Sequence, residues 1–147
     1  MSANEIAPAG NGLQLVAFCC ANSSAKAAKL AKAPFKVDGV NVRLAQLACS
    51  SKIQVLHLLQ ALETGADAVV LWTCPKESCR FGRGSIRAAK RLERARRILE
   101  QIGLGSQRLF CQALDPKNAD ALETALKDIT EQLAKLGQSP LNNVGVK

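Results

Sequence analysis

The sequence predicts an α/β fold, a small doubly wound domain with a four-stranded parallel sheet that is flavodoxin-like or Rossmann-like. Short apolar runs alternate with amphipathic helical stretches along the chain. The apolar runs are continuous, as in strands that are buried on both faces of a parallel sheet. Hydrophobic residues make up 48% of the chain but aromatic residues only 3%, which suits layered α/β packing better than an all-β sandwich.

Four apolar runs predict the strands. The first is LQLVAFCC (13–20). The second lies in 37–49, where a hairpin-like Asp-Gly pair precedes apolar residues that end at Cys49. ADAVVLWTC (66–74) is continuous and apolar, so we expect it at the centre of the sheet. SQRLFCQAL (106–114) is the fourth run.

Composition and periodicity between these runs predict helices over 21–33, 50–65, 84–103 and 118–137. Apolar residues recur at helical spacing in the last three, which indicates one inward face for each helix. These residues are, in chain order, Ile53, Leu56, Leu59 and Leu62; Ile86, Leu92, Ile98, Leu99 and Ile102; and Leu122, Leu126, Ile129, Leu133 and Leu136.

The predicted elements form one domain over 13–137, between a polar, flexible segment (1–12) and a polar tail (138–147). No apolar run approaches the roughly 20 residues that a membrane-spanning helix needs. The first residues also lack the basic and apolar regions of a signal peptide. We therefore expect a cytoplasmic protein without direct membrane insertion.

Four cysteines fall where predicted strands end. Cys20 ends the first strand, Cys49 the second and Cys74 the third, and Cys79 follows in the next loop. Parallel strands point their carboxyl ends to one edge of the sheet, where ligands usually bind. In a reducing compartment, converging thiols indicate an iron–sulfur cluster or a tetrahedral zinc site. The C-x4-C spacing of Cys74 and Cys79 occurs in plant-type ferredoxins and favours iron–sulfur without deciding the question.

The remaining cysteines and the single histidine have simpler interpretations. Side chains alternate along a strand, so Cys19 and Cys20 cannot face the same way and one of them is expected to be structural. Cys111, midway along the fourth strand, is expected to be a small core residue. His57 lies between leucines in a helix and is expected to be a helix residue and no ligand.

Positive charge is concentrated in the helix that follows the thiol loop, in a chain whose net charge is +8. One interpretation is a solvated helix face on which Glu93 and Arg97 form a pair at i, i+4. Another is that the cations offset a thiolate-ligated cluster or dock an acidic partner. The run consists of Arg80, Arg83, Arg87, Lys90, Arg91, Arg94, Arg96 and Arg97.

Other functional classes are disfavoured. Aromatic stacking residues are scarce and no nucleic-acid recognition motif is present, so we expect no nucleic acid. One histidine cannot support a nucleophilic constellation, and the first strand runs into CCANSS without a GxGxxG loop. No catalytic residue is predicted.

Several segments of the chain resemble the delta subunit of methyl-viologen-reducing hydrogenase, within the small iron–sulfur subunits of heterodisulfide reductase-type complexes. The resemblance spans roughly 13–135, and its most specific part is GAD-x-V leading to C-x4-C and then to Gly84, Arg87, Ala88 and Arg91. The segments are VAFCC, LAC-SS, GADAVVLWTCPKESC and GSIRAAKRLERARRILEQIGL.

The resemblance implies a non-catalytic electron carrier that holds one 2Fe–2S cluster. Such a protein relays electrons from a hydrogenase or other donor module to a heterodisulfide reductase-like flavoprotein, and FAD belongs to that partner. The ligands it implies are Cys20, Cys49, Cys74 and Cys79. The cations nearest this site, which would balance its charge or meet the partner, are Arg80, Arg83, Arg87 and Arg91.

The chain departs from the family pattern after the first strand. The family reads C-N-W-C there, whereas this chain has Asn22 and Ser23 in place of the tryptophan and the second cysteine. If Ser23 occupies a ligand position, the site uses Cys19, accepts a serine oxygen, or has lost its cluster. After Cys79 the family favours His-Tyr, and Arg80 and Phe81 stand here.

Two alternatives to the electron carrier stay open at this point. One is a cluster-free scaffold subunit of the same kind of complex. The other is a thiol-based sulfur carrier or redox protein that uses Cys74 or Cys79 as an exposed nucleophile.

Overall fold

The computed structural model of the chain describes residues 13–20, 35–37, 39–47, 52–73, 84–114 and 121–137. The predicted helix over 21–33 lies outside these residues, and the other predicted elements are present. Their bounds are β1 (Leu13–Cys20), β2 (Phe35–Val37), β3 (Val40–Leu47), α1 (Val55–Glu63), β4 (Ala68–Thr73), α2 (Gly84–Gln101), β5 (Leu109–Ala113) and α3 (Ala121–Leu136).

The strands form one sheet in the order β2-β3-β1-β4-β5. β1 pairs in parallel with β3 and β4, and β4 pairs in parallel with β5. The α/β class and its four parallel strands are confirmed, and short β2 adds an antiparallel edge. Across the sheet, the four parallel strands stand in the order β3, β1, β4, β5. Numbered by their sequence order among the parallel strands, this is second, first, third, fourth, the flavodoxin-like order. The order reverses between β1 and β4.

The predicted hairpin joins β2 to β3. Val37 and Val40 are opposite each other, so the connection is two residues long. Its second residue, Gly39, has a φ of 81°, in the left-handed region that glycine adopts without steric cost. The Asp-Gly signal therefore marks a tight hairpin turn, as predicted.

The sheet is covered on both faces by apolar clusters. Val16 and Phe18 of β1 face the cluster that contains α1 and α2. Leu15, Ala17 and Cys19 face the cluster that contains α3. This alternation follows from the two-residue period of a strand. β4 is buried along its whole length, which confirms its predicted central position.

Two apolar residues that the periodicity assigned to inward stripes lie at the surface. Leu56 is 60% exposed and Ile102 is 63% exposed. The buried face of α1 runs through Leu58, Ala61 and Leu62, and Leu56 stands to one side of it. Ile102 follows the last residue of α2 and so has left the helical face.

Arg108 joins four elements at the amino end of the sheet. Its Nη1 atom donates to the carbonyls of Asp67 and Gly137, at 2.9 Å each, and Nη2 donates to Leu136 O at 3.4 Å. The Asp67 carboxylate in turn accepts the N–H of Gln14 at 2.7 Å. Arg108 therefore connects the beginnings of β1 and β4 to the end of α3, next to β5.

Within the described residues, no helix is long and apolar enough to cross a bilayer.

Candidate functional site at the carboxyl edge of the sheet

The carboxyl ends of β3, β1 and β4 lie side by side. Cys20, the last residue of β1, is the register partner of Leu47, the last residue of β3. Cys19 is the partner of Trp72, and β4 ends one residue later at Thr73. Neighbouring strands are about 4.8 Å apart. Three chain segments therefore leave the sheet within a short distance of one another.

This meeting point coincides with the reversal of strand order. The chain passes from β1 to β3 on one side and later to β4 on the other. In open parallel sheets, the crevice at such a reversal is where ligands bind, because the connections on its two sides diverge. Cys20 ends the strand at this position. In the sequence, Cys74 directly follows β4 and Cys49 comes two residues after β3.

Most of the predicted ligand set lies outside the described residues. Cys20 is described only as the last residue of β1. The predicted site residues that fall outside the described ranges are Ser23, Cys49, Cys74, Cys79, Arg80 and Arg83. Within those ranges, no three His, Cys, Asp or Glu side chains are grouped as metal ligands would be. The ligand set therefore stays a prediction, and the structure shows only that β1, β3 and β4 end side by side.

The sequence supplies sulfur donors next to the ends of these strands. The residues that end or follow the three converging strands include Cys20, Cys49 and Cys74. His57 has a different role, because its Nδ1 accepts the N–H of Gln54 at 3.1 Å and so caps the first turn of α1. Thiolates without histidine fit an iron–sulfur cluster well, and they also fit a zinc site made of four cysteines.

Cys19 is the structural member of the Cys19–Cys20 pair. Its side chain is fully buried in the cluster on the α3 side of the sheet. The prediction that one of the two cysteines belongs to the core is therefore confirmed. Its use as a substitute ligand for Ser23 stays a prediction.

A tryptophan that sequence reasoning did not single out lies one residue before the end of β4. Trp72 is fully buried near the end of β4, and its Nε1 donates to Gln112 Oε1 at 2.9 Å. Gln112 is its register partner on β5, so this hydrogen bond joins the ends of two strands. The available signal was a tryptophan inside an apolar run, two residues before Cys74. The chain has no other tryptophan and no tyrosine, so its fluorescence reports on this position.

Two arginines of the basic run have structural roles. Arg91, predicted as a charge-balancing residue, donates from Nη1 to Ile53 O at 2.9 Å and so links α2 to the segment before α1. Arg96 donates to Leu109 O from Nε at 3.1 Å and from Nη2 at 2.7 Å. Its Nη1 also pairs with Glu93 at 3.1 Å, so the expected Glu93–Arg97 pair is replaced by one at i, i+3. The guanidinium of Arg96 therefore contacts both Leu109 O on β5 and the Glu93 carboxylate on its own helix.

The other described cations of α2 are exposed and lie on one side of the helix. Their spacing of three, four and three residues places them in a single row. We call this the cationic row, and its members are Arg87, Lys90, Arg94 and Arg97. A solvated row of one sign attracts anionic groups over a distance that salt shortens.

Cys111 is a partly buried thiol that packs against the core on the α1 and α2 side. This confirms its predicted role as a small core residue. Burial raises the pKa of the Cys111 thiol, because a thiolate loses hydration there, and the charge of Arg96 partly opposes that shift. The folded protein therefore holds this proton more tightly than the unfolded chain does.

We expect Cys111 to react with iodoacetamide more slowly in the folded protein, because only the thiolate attacks. The rate should keep rising past about pH 8.5, where an ordinary thiol is half ionised. The native state binds the extra proton, so this thiol's contribution to stability decreases as pH rises through that range. Peptide-resolved mass spectrometry, with the urea-unfolded chain as control, measures the rate. Equal pH profiles for Cys111 in the two states would contradict this expectation.

Comparison with known proteins matches residues 15–137 to the family described as methyl-viologen-reducing hydrogenase, delta subunit. The vhu iron-sulfur subunit of the F420-non-reducing hydrogenase of Methanocaldococcus jannaschii is 31% identical over 127 residues, 86% of this chain and 95% of that protein. The protein of the same name from Methanopyrus kandleri is 28% identical over 123 residues, 84% of this chain and 93% of that protein.

A third relative is much longer. It is a subunit of the Ferredoxin:CoB-CoM heterodisulfide reductase of Methanosarcina mazei, 27% identical over 123 residues, which are 84% of this chain but only 16% of that protein. The matching domain therefore also occurs inside a larger polypeptide. The family match covers most of the chain and at least part of every described element. This chain belongs to the family of methyl-viologen-reducing hydrogenase delta subunits.

Proposed function

We propose that this protein is an electron-transfer subunit that carries one 2Fe–2S cluster, held by Cys20, Cys49, Cys74 and Cys79. It relays electrons from a donor module to a flavin-containing, heterodisulfide reductase-like subunit in a multisubunit redox complex. The observation that supports this most directly is the convergence of β3, β1 and β4 at the reversal of strand order. Each of these strands ends at, or within two residues of, one of the proposed ligands.

A bound cluster would supply reversible one-electron chemistry, accepting an electron from one partner and passing it to the next. The chain's own residues set the conditions for that chemistry. The buried central strand β4 ends one residue before Cys74 in the sequence, and Trp72 and Gln112 hold the ends of β4 and β5 together. Positive side chains in the first turns of α2, beginning with Arg87, offset the negative charge of thiolate ligands.

The relatives support the proposed partners. The two hydrogenase relatives described above are named iron-sulfur subunits. In the heterodisulfide reductase relative, the matching domain and the rest of the reductase subunit form one polypeptide. Domains joined in one chain work at close range, so we infer that the separate protein binds a heterodisulfide reductase-like flavoprotein. FAD would then belong to that partner. A reducing, cytoplasmic compartment, in which thiols stay available as ligands, fits this assignment.

One sequence feature favours a second candidate, a cluster-free scaffold subunit of the same complex. Ser23 stands where the family pattern has a cysteine. If the cysteine at that position were indispensable, this chain would bind partners without carrying electrons.

Anaerobic purification of the full chain separates the two candidates. We expect a coloured protein with about two irons per chain and an EPR signal after reduction. We also expect Trp72 fluorescence to be quenched in the loaded protein and to recover when the iron is chelated. The reference is the same preparation after chelation, with folding checked by circular dichroism. A colourless, iron-free protein from careful anaerobic work would support the scaffold instead.

A further inference from the structure

An open groove of about 540 Å³ lies between α1 and α2, among the described residues. Its apolar lining comes from both helices and is flanked by two guanidinium groups. We call it the α1–α2 groove, and the residues used below are Val55, Leu56, Leu59, Arg91, Arg94 and Ile98.

The groove displays apolar surface that the fold itself does not bury. Leu56 is 60% exposed, whereas Leu58 and Leu62 of the same helix are buried. Val55 and Leu59 are partly buried beside it, and Ile98 faces it from α2. A large exposed side chain set among other apolar groups is typical of a site for a protein partner, since isolated exposed leucines lack such neighbours.

The groove also carries positive charge. Arg94 belongs to the cationic row and is exposed, and Arg91 lies beside it with one N–H bonded to Ile53 O. The first turn of α1, which begins at the groove, contains no acidic residue. The helix dipole therefore adds to the positive potential of the two arginines. Among the described residues that line the groove there is no Asp or Glu, so its complement is an apolar segment with carboxylates.

The groove lies in the helical layer that covers one face of the sheet. α1 follows β3 in the chain and α2 follows β4, so both helices begin at the carboxyl edge of the sheet. Val55 and Leu56 are the first residues of α1. The groove extends from the start of α1 along the middle and second half of α2, so a partner seated there contacts both helices that follow β3 and β4.

We propose that the α1–α2 groove docks an acidic, amphipathic segment of the redox partner subunit. Apolar side chains of that segment pack on Leu56, Val55 and Ile98, and its carboxylates meet Arg94 and Arg91. This inference rests on the proposed function for the existence of a partner and adds the place and chemistry of contact. Nucleic acid fits less well, because a phosphate backbone would leave the apolar lining exposed and the described lining residues include no Trp, Tyr or Phe.

Site-specific crosslinking in the assembled complex tests the location. A photo-reactive benzoylphenylalanine replaces Leu56 in the full chain, expressed in its own host, and the matched control carries it at Ile102. Both positions are exposed to a similar degree, but only Leu56 lines the groove. We expect Leu56 to crosslink to one partner subunit through a stretch that contains apolar residues and Asp or Glu. Equal crosslinking at both positions, a basic target stretch, or nuclease-sensitive adducts would overturn the proposal.

Binding of that purified partner subunit then tests the chemistry. We expect Arg94→Glu and Leu56→Asp each to raise the Kd about tenfold or more. The matched controls, Arg97→Glu and Ile102→Asp, should stay within about threefold of the parent chain. The effect of Arg94→Glu should shrink between about 50 and 500 mM salt, because the Debye length shortens. Equal effects for Arg94→Glu and Arg97→Glu would show that net charge matters and the groove does not.

Iron content, measured on the same preparations, separates this inference from the proposed function. Groove variants that keep their iron and lose the partner support the docking site. Variants that keep both iron and partner overturn the docking site and leave the electron-transfer role intact. An iron-free chain that still binds through the groove supports the docking site and contradicts the electron-transfer role.

Discussion

Replacing Cys74 by alanine is expected to abolish the visible absorbance of the anaerobically purified protein and most of its iron. Cys74 follows directly after β4, the strand that is buried along its whole length at the centre of the sheet. Because β4 is packed in the core, a neighbouring group could take over the role of a ligand that follows it only by moving that strand. Loss of one thiolate from a four-cysteine 2Fe–2S site leaves one iron with only one of its two cysteine ligands.

Cys111→Ala is the matched control for Cys74→Ala. Cys111 lies on β5, packs against the core and is outside the predicted ligand set. We expect this variant to keep its iron and its colour and to lose only a modest amount of stability. Trp72 fluorescence offers a second measurement, which should be high in Cys74→Ala and quenched in Cys111→Ala. Full iron in Cys74→Ala, or iron loss in both variants, would refute the proposed ligand set.

Replacing Arg108 by methionine is expected to cost about 3 kcal/mol of unfolding free energy. The guanidinium donates to the carbonyls of Asp67, Leu136 and Gly137, and methionine would leave these acceptors without that donor. Burial lowers the pKa of Arg108 and the Asp67 carboxylate opposes that shift, but a guanidinium remains protonated in either case. For a chain of this length, the melting temperature should fall by roughly 6–12 °C.

The control for Arg108→Met is Arg97→Met, which removes an exposed arginine of the cationic row. Substitutions of that kind usually change stability by less than about 0.5 kcal/mol. Urea unfolding of both proteins measures the difference. Because Arg108 lies at the amino end of the sheet, we expect its variant to load iron normally below its melting temperature. A stability equal to that of Arg97→Met would mean that the three hydrogen bonds add little.

The fold class was predictable from the sequence because the apolar runs are short, continuous and separated by helical stretches. The run 66–74 indicated a central strand, and β4 is indeed buried on both faces. The Asp-Gly pair indicated a tight turn, and Gly39 adopts the left-handed conformation that such a turn needs. These are local properties of the chain, and tertiary packing reinforces them.

Hydrophobic periodicity did not predict correctly which helix residues are buried, because several orientations of a helix fit the same local pattern. Leu56 and Leu58 are both compatible with an apolar stripe on α1, and only the position of α1 against the sheet decides that Leu58 is buried. Arg96 looked like part of a solvated row, but it bonds to Leu109 on β5. Contacts between residues distant in sequence are decided by packing, which no short window of sequence contains.

The candidate site shows the same division. The sequence by itself determined the chemistry available, namely thiols after three strands, a basic helix behind them, and a serine where the family has a cysteine. The tertiary structure decided that these strands are neighbours, that the order reverses between β1 and β4, and that Trp72 is buried near the end of β4. It also decided that Leu56 and Arg94 line one groove. Residue types can be read from the sequence, whereas residues distant in sequence become neighbours only when the strands pair into a sheet and the helices pack on it.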